Sequence, residues 1–156
     1  MPDRSPFKHD HADDSPGFLL WKLTALWQEK LAGVLAPFGI TQTQYAIVAS
    51  LRWFEEKGEP PTQTHLALHT KIEKMTLSKA IRKLEEDGHV ARAISAADSR
   101  ATEVRFTAKG RRLVGRAVVA IERADDEFFG GLVAPDLSSY KALTRALVAH
   151  NADAPG

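Results

Sequence analysis

The sequence predicts a mainly α-helical chain interrupted once by a small β-hairpin, and three observations lead there. Apolar residues recur at helical steps over two long stretches, 20–38 and 113–128. The stretch 90–107 instead alternates with period two around a charged tip. The 156 residues include no cysteine, so neither disulfides nor a zinc knuckle organise the chain, and a hydrophobic content of 44% suffices for a packed core.

Residues 1–15 are polar and are expected to form a flexible N-terminal arm. From Pro16, Leu20, Leu23, Trp27, Leu31, Val34 and Phe38 recur at steps of three and four, which predicts a long first helix. Phe18, Trp21, Leu26 and Leu35 lie off that stripe and suit a second surface, such as another subunit. After the break at Pro37 and Gly39, Thr41 is placed to cap an almost wholly apolar core helix carrying Tyr45, Val48, Ala49 and Leu51 to Phe54. Residues 55–61 read as a loop, and Thr62 opens a short third helix with Leu66 and Ala67 inward. Leu77, Ile81 and Leu84 mark a fourth helix that ends at Gly88. In the hairpin, Thr102, Val104 and Phe106 face the core and Ala101, Glu103 and Arg105 face water, with Asp98, Ser99 and Arg100 at the tip. Thr107 caps a fifth helix striped by Leu113, Ala117, Ile121, Ala124 and Phe128. A sixth helix from Asp136 carries Leu137, Tyr140, Leu143 and Leu147.

The net charge of +1 conceals a segregation. Positions 70–112 hold eleven Lys or Arg against six Asp or Glu, net +5, and the rest of the chain carries −4. A basic middle between acidic ends is the pattern expected when the middle meets phosphates.

Two short helices joined by a tight turn, the second one basic, followed by a hairpin with a charged tip describe a winged helix-turn-helix. With Leu77, Ile81 and Leu84 inward, Ser78, Lys79, Arg82 and Lys83 lie on or beside the opposite face, with Lys74 and Thr76 at its N-terminal end, and that face is able to enter a major groove. Arg92 in the first strand and Asp98, Ser99 and Arg100 at the tip complete the candidate DNA-binding set. Arg100 suits the negative potential of a narrow minor groove, while Asp98 holds the turn or the guanidinium.

The stretch "TQTHLALHTKIEKMTLSKAIRKLEEDGHVAR", followed by "AADSRATEVRFTAKG", resembles the MarR family of bacterial transcriptional regulators. The features that carry it are Leu66, Ala67, Lys74, Leu77, Ser78, Leu84, Gly88, Val90 and Arg92, then Asp98-x-Arg100, Val104, Thr107 and Gly110. The chain departs from the pattern at Ala91, where a polar or bulky residue is more usual. The resemblance implies a homodimer built by the first, fifth and sixth helices, two recognition helices on a pseudo-palindromic duplex, and a small-molecule pocket between the modules. On this basis 41–107 is expected to be the DNA-binding domain and 16–40 with 108–150 the helical dimerisation region. The expected activity is that of a cytoplasmic repressor, with no cofactor and no membrane partner.

Trp21, Trp27, Phe38, Tyr45, Val48 and Trp53 are the candidate lining of a pocket for a small aromatic effector; large aromatics at helical spacing also serve simply as core. His65 and His69, at i and i+4, would present two metal ligands on one helix face, which makes a metal-responsive regulator an alternative. A winged-helix protein-interaction module without DNA is another. No phosphate loop, nucleophile elbow or recognisable carboxylate pair supports an enzyme.

Overall fold

Helices and hairpin follow the expected order. The computed structural model describes residues 4–152. In it α1 (Pro16–Leu35), α2 (Gln42–Glu56), α3 (Gln63–Thr70) and α4 (Lys74–Glu86) precede β1 (Val90–Ile94) and β2 (Thr102–Phe106). Helices α5 (Ala108–Phe129) and α6 (Ala134–Ala152) follow. The helix starts have local chemical causes. Ser15 caps α1, with Pro16 at the first helical position where its missing N–H costs nothing. Thr41 caps α2 in a reciprocal box with Gln44, and Thr62 caps α3 in a box closed by His65 Nδ1. Thr107 Oγ1 accepts from Gly110 N at 3.1 Å to start α5.

Of the arm expected over 1–15, positions 1–3 lie outside the described residues. Its far end is anchored: Ala12–Asp14 forms a 3-10 turn, and Asp13 pairs with Lys22 of α1 at 2.9 Å.

The chain divides into two units, one running to Ile121 and one from Glu122. In the first, Leu35, Ile47, Val48, Leu51, Leu66, Leu77, Ile81, Leu84, Val104 and Val114 are each at most 1% exposed and form one core. Helix α1 joins this core only at its C-terminal end, through Leu35 and the half-buried Leu31 and Val34, with Phe38 just beyond it. The predicted stripe is therefore corrected at both ends: Leu20 and Leu23 are exposed, and Leu35, placed off the stripe, is the buried residue.

The hairpin pairs Val90 with Phe106 and Arg92 with Val104. A single bridge from Thr62 to Glu103, with Val104 N donating to Pro61 O at 3.0 Å, adds a third edge to it. Glu103 is accordingly half-buried, where alternation placed it in water.

Helix α4 ends in a Schellman motif: His89 N donates to Leu84 O, Gly88 N donates to Glu85 O, and Gly88 takes φ 80°. The next backbone is clamped to the start of α5. Thr107 N donates to His89 O at 3.1 Å, Thr107 Oγ1 to Gly88 O at 2.6 Å, and Lys109 Nζ to Asp87 O at 2.7 Å.

His89 is 9% exposed, and its buried Nδ1 has no hydrogen-bond partner. Burial pushes its pKa down and the Lys109 ammonium adds to this, against an opposing pull from Asp87. The folded state thus resists a proton that the unfolded chain accepts below about pH 6.5. Stability from the neutral ring is complete above that value and is lost as pH falls through the lowered folded pKa. The melting temperature of the wild type should therefore drop more steeply than that of His89→Gln on going from about pH 7 to about pH 5; equal slopes would remove the assignment.

In the second unit Phe129 and Tyr140 bring α5 and α6 together with ring centroids 5.1 Å apart. No α6 residue is buried, and Leu143 and Leu147 are 67% and 63% exposed. Among the described residues no helix is long and apolar enough to cross a membrane.

Candidate nucleic-acid interface

Helix α3 stops when Lys71 turns into the left-handed region at φ 61°. Thr70 Oγ1 donates to Leu66 O and accepts from Ile72 N, which tightens the turn into α4. Glu73 then caps α4, its carboxylate accepting from Met75 N at 2.9 Å and Thr76 N at 3.0 Å. Those two backbone bonds hold the Glu73 carboxyl below the ordinary carboxylate range.

The burial of Leu77, Ile81 and Leu84 fixes how α4 is turned. Lys74, Thr76, Lys79, Arg82 and Lys83 are exposed and Ser78 is half-buried, as the spacing predicts. Met75, Lys79 and Arg82, at i, i+4 and i+7, stand on the side away from the buried stripe. Met75 is 78% exposed and was missed by the sequence reading, although its spacing was there to be read.

The charged residues do not all stand free. Lys83 Nζ lies 3.0 Å from Asp87 Oδ1, and that hydrogen bond pushes the lysine pKa up. Arg92 donates through Nε and Nη2 to Glu85 Oε1, at 3.2 and 3.0 Å, and through its backbone N to Oε2. The bonds from Arg92 in turn hold the Glu85 carboxyl down. Arg92 is thereby a strap between β1 and α4, a role that spacing did not reveal.

At the hairpin tip Asp98 does both things expected of it. Its Oδ1 accepts from Arg100 N at 3.0 Å and lies 3.5 Å from Arg100 Nε. The Arg100 side chain is 92% exposed, and Ser99 beside it is exposed.

The six aromatic-pocket candidates separate. Val48 is core, Trp53 is exposed with Lys57 Nζ 4.4 Å from its ring, and Trp21 is exposed on α1. Trp27, Phe38 and Tyr45 are half-buried, and the Arg116 guanidinium sits 6.0 Å from the Phe38 ring. His65 and His69 flank Phe54, with ring centroids at 6.5 and 5.3 Å. Among the described residues no three His, Cys, Asp or Glu side chains gather to hold a metal ion, and His65 Nδ1 is occupied in the α3 cap.

Residues 37–124 match the ArnR1-like winged-helix domain family. The chain is 34% identical over 122 residues to the HTH-type transcriptional regulator YdcH of Bacillus subtilis, covering 78% of this chain and 83% of that protein. It is 29% identical over 137 residues to the HTH-type transcriptional repressor Rv2887 of Mycobacterium tuberculosis, covering 87% of this chain and 96% of the repressor. The crystal structure of Rv2887, a MarR family protein, in complex with DNA superposes with a TM-score of 0.67 at 26% identity, over 85% of this chain and 97% of that one. The Rv2887 complex with salicylic acid gives 0.66 at 29% identity, over 88% and 99%.

Proposed function

The chain belongs to the MarR family of winged helix-turn-helix transcriptional regulators, and from that premise we propose that it is a cytoplasmic repressor that grips duplex DNA as a homodimer and has no catalytic step of its own. The outward face of α4 carries this proposal. Lys79 and Arg82 stand there exposed and Lys74 is exposed at the N-terminal end of the helix, all with no ion pair among the described residues, and Glu73 is turned back to cap the helix. Lys79 and Arg82 contact base edges or phosphates in the major groove, Lys74, Thr76 and Ser78 fix the register, and Arg100 enters the adjacent minor groove. Lys83 and Arg92, held by Asp87 and Glu85, serve chiefly to position α4 and β1. Ser99 follows the tip, and Asp98 shapes it.

The homodimer is supported by apolar surface that one chain leaves in water. Leu20, Trp21 and Leu26 of α1 are exposed, as are Leu143, Leu147 and Val148 of α6. Two-fold symmetry then sets half-sites about 34–36 Å apart, one turn of duplex. A small aromatic acid is the proposed releasing ligand. Support comes from the salicylic acid complex of Rv2887 and, in this chain, from a guanidinium at an aromatic face, Arg116 at Phe38.

The test is titration of the full chain with a palindromic duplex. Two chains should bind per duplex, whereas a protein-interaction module would leave the DNA free. Arg100→Ala should weaken binding by about 1 to 3 kcal/mol, most on A·T-rich flanks, and Lys79→Ala should shift preference among major-groove sequences. Equal losses on every sequence from both changes would reverse the groove assignment.

A further inference from the structure

Met75 is the apolar exception on a polar surface. The other exposed residues of α4 are Lys74, Thr76, Lys79, Arg82, Lys83 and Glu86. At 78% exposure the Met75 side chain has little of the chain around it. It occupies the second position of the helix, at the end of a recognition helix whose residues meet base edges. The nearest acidic side chain, Glu73, is turned back on the helix start, where its carboxylate accepts from Met75 N and Thr76 N, so it caps α4 and leaves Met75 as the apolar group at this end. In the major groove the 5-methyl of thymine is the apolar group available, and an unbranched thioether has the flexibility to cover it.

We propose that Met75 is a specificity-determining residue that reads a thymine methyl in each half-site. This rests on the DNA-binding function above and goes beyond it by naming the base and the chemical group that is read. Burying one methyl against an apolar side chain corresponds to about fourfold in affinity per half-site, and to about fifteenfold across a symmetric dimer.

The experiment starts from the tightest duplex that the full-length chain selects from a randomised library. That duplex is resynthesised with deoxyuridine for thymine, one symmetric pair of positions at a time, which removes a methyl and leaves every hydrogen-bonding group in place. One pair should cost the wild type about fifteenfold, the same swap should cost Met75→Ala and Met75→Gln almost nothing, and Met75→Leu should keep most of the discrimination. Circular dichroism checks that the variants fold, which the exposure of the side chain favours. If no deoxyuridine swap weakens the wild type, or if one weakens Met75→Ala and the wild type equally, the methyl is not read by Met75, although DNA binding itself stands. If the chain selects no duplex at all, the DNA-binding function fails and the Met75 proposal fails with it.

Discussion

Raising salt from 50 to 200 mM is expected to weaken duplex binding by about 10⁴, within the range of about 10³ to 10⁵ for six to ten neutralised phosphates. The structure narrows the number of cations that contribute. Lys83 and Arg92 are engaged with Asp87 and Glu85 and would have to break those pairs to reach a phosphate. Lys74, Lys79 and Arg82 are not so held, and Arg100 is only loosely held at 3.5 Å by Asp98. Four cations from each chain make eight in a dimer, for a slope of about −7 in log affinity against log salt. A slope near zero would show that the basic face of α4 does not meet DNA. Asp87→Asn, by freeing Lys83, should steepen the slope rather than flatten it.

Gly110→Ala should be among the most damaging small substitutions in the chain. A Cβ there would lie far inside van der Waals contact distance of the His89 carbonyl oxygen and only 2.7 Å from its carbon, so backbone rather than a movable side chain must yield. Yielding would strain the bond from Thr107 N to the same carbonyl. The expected loss is about 1 to 3 kcal/mol from overpacking, after any helical gain of about 1 kcal/mol for alanine over glycine is exceeded. Gly115, on the same helix with nothing within 4 Å of its would-be Cβ, provides the control. Gly115→Ala should raise stability by about 0.4 to 1 kcal/mol. Thermal melts of the two variants should move in opposite directions, and a matched fall in both would show that close approach at Gly110 is not the cause.

Features with a strong local signal were legible in the sequence. Leu77, Ile81 and Leu84 announced which way α4 faces, Thr41, Thr62 and Thr107 announced the helix starts, and Asp98 with Arg100 announced the tip. What escaped depends on partners that periodicity does not report. The stripe on α1 is real, but Leu20 and Leu23 have no core beneath them, so an amphipathic pattern misled about where burial occurs. A one-residue bridge between Thr62 and Glu103 leaves no alternation to detect. The carboxylate that engages Arg92, Glu85, lies seven residues away on another element, where spacing gives no sign of it. Trp53 read as core by its bulk, yet lies in water beside Lys57.

The clamp between residues 87–89 and the first turn of α5 also has a mechanical meaning. Tied by Thr107 and Lys109, α4 and the start of α5 turn as one stiff piece, with the junction as the pivot and α4 as the arm. Thirteen residues of helix make that arm about 20 Å long. A rotation of about 5° at the pivot therefore sweeps the Lys74 end through about 2 Å, enough to break hydrogen bonds of about 2.9 Å. A molecule that tilts α5 by so little would lift the far end of α4 off its bases without ever touching the surface that reads them.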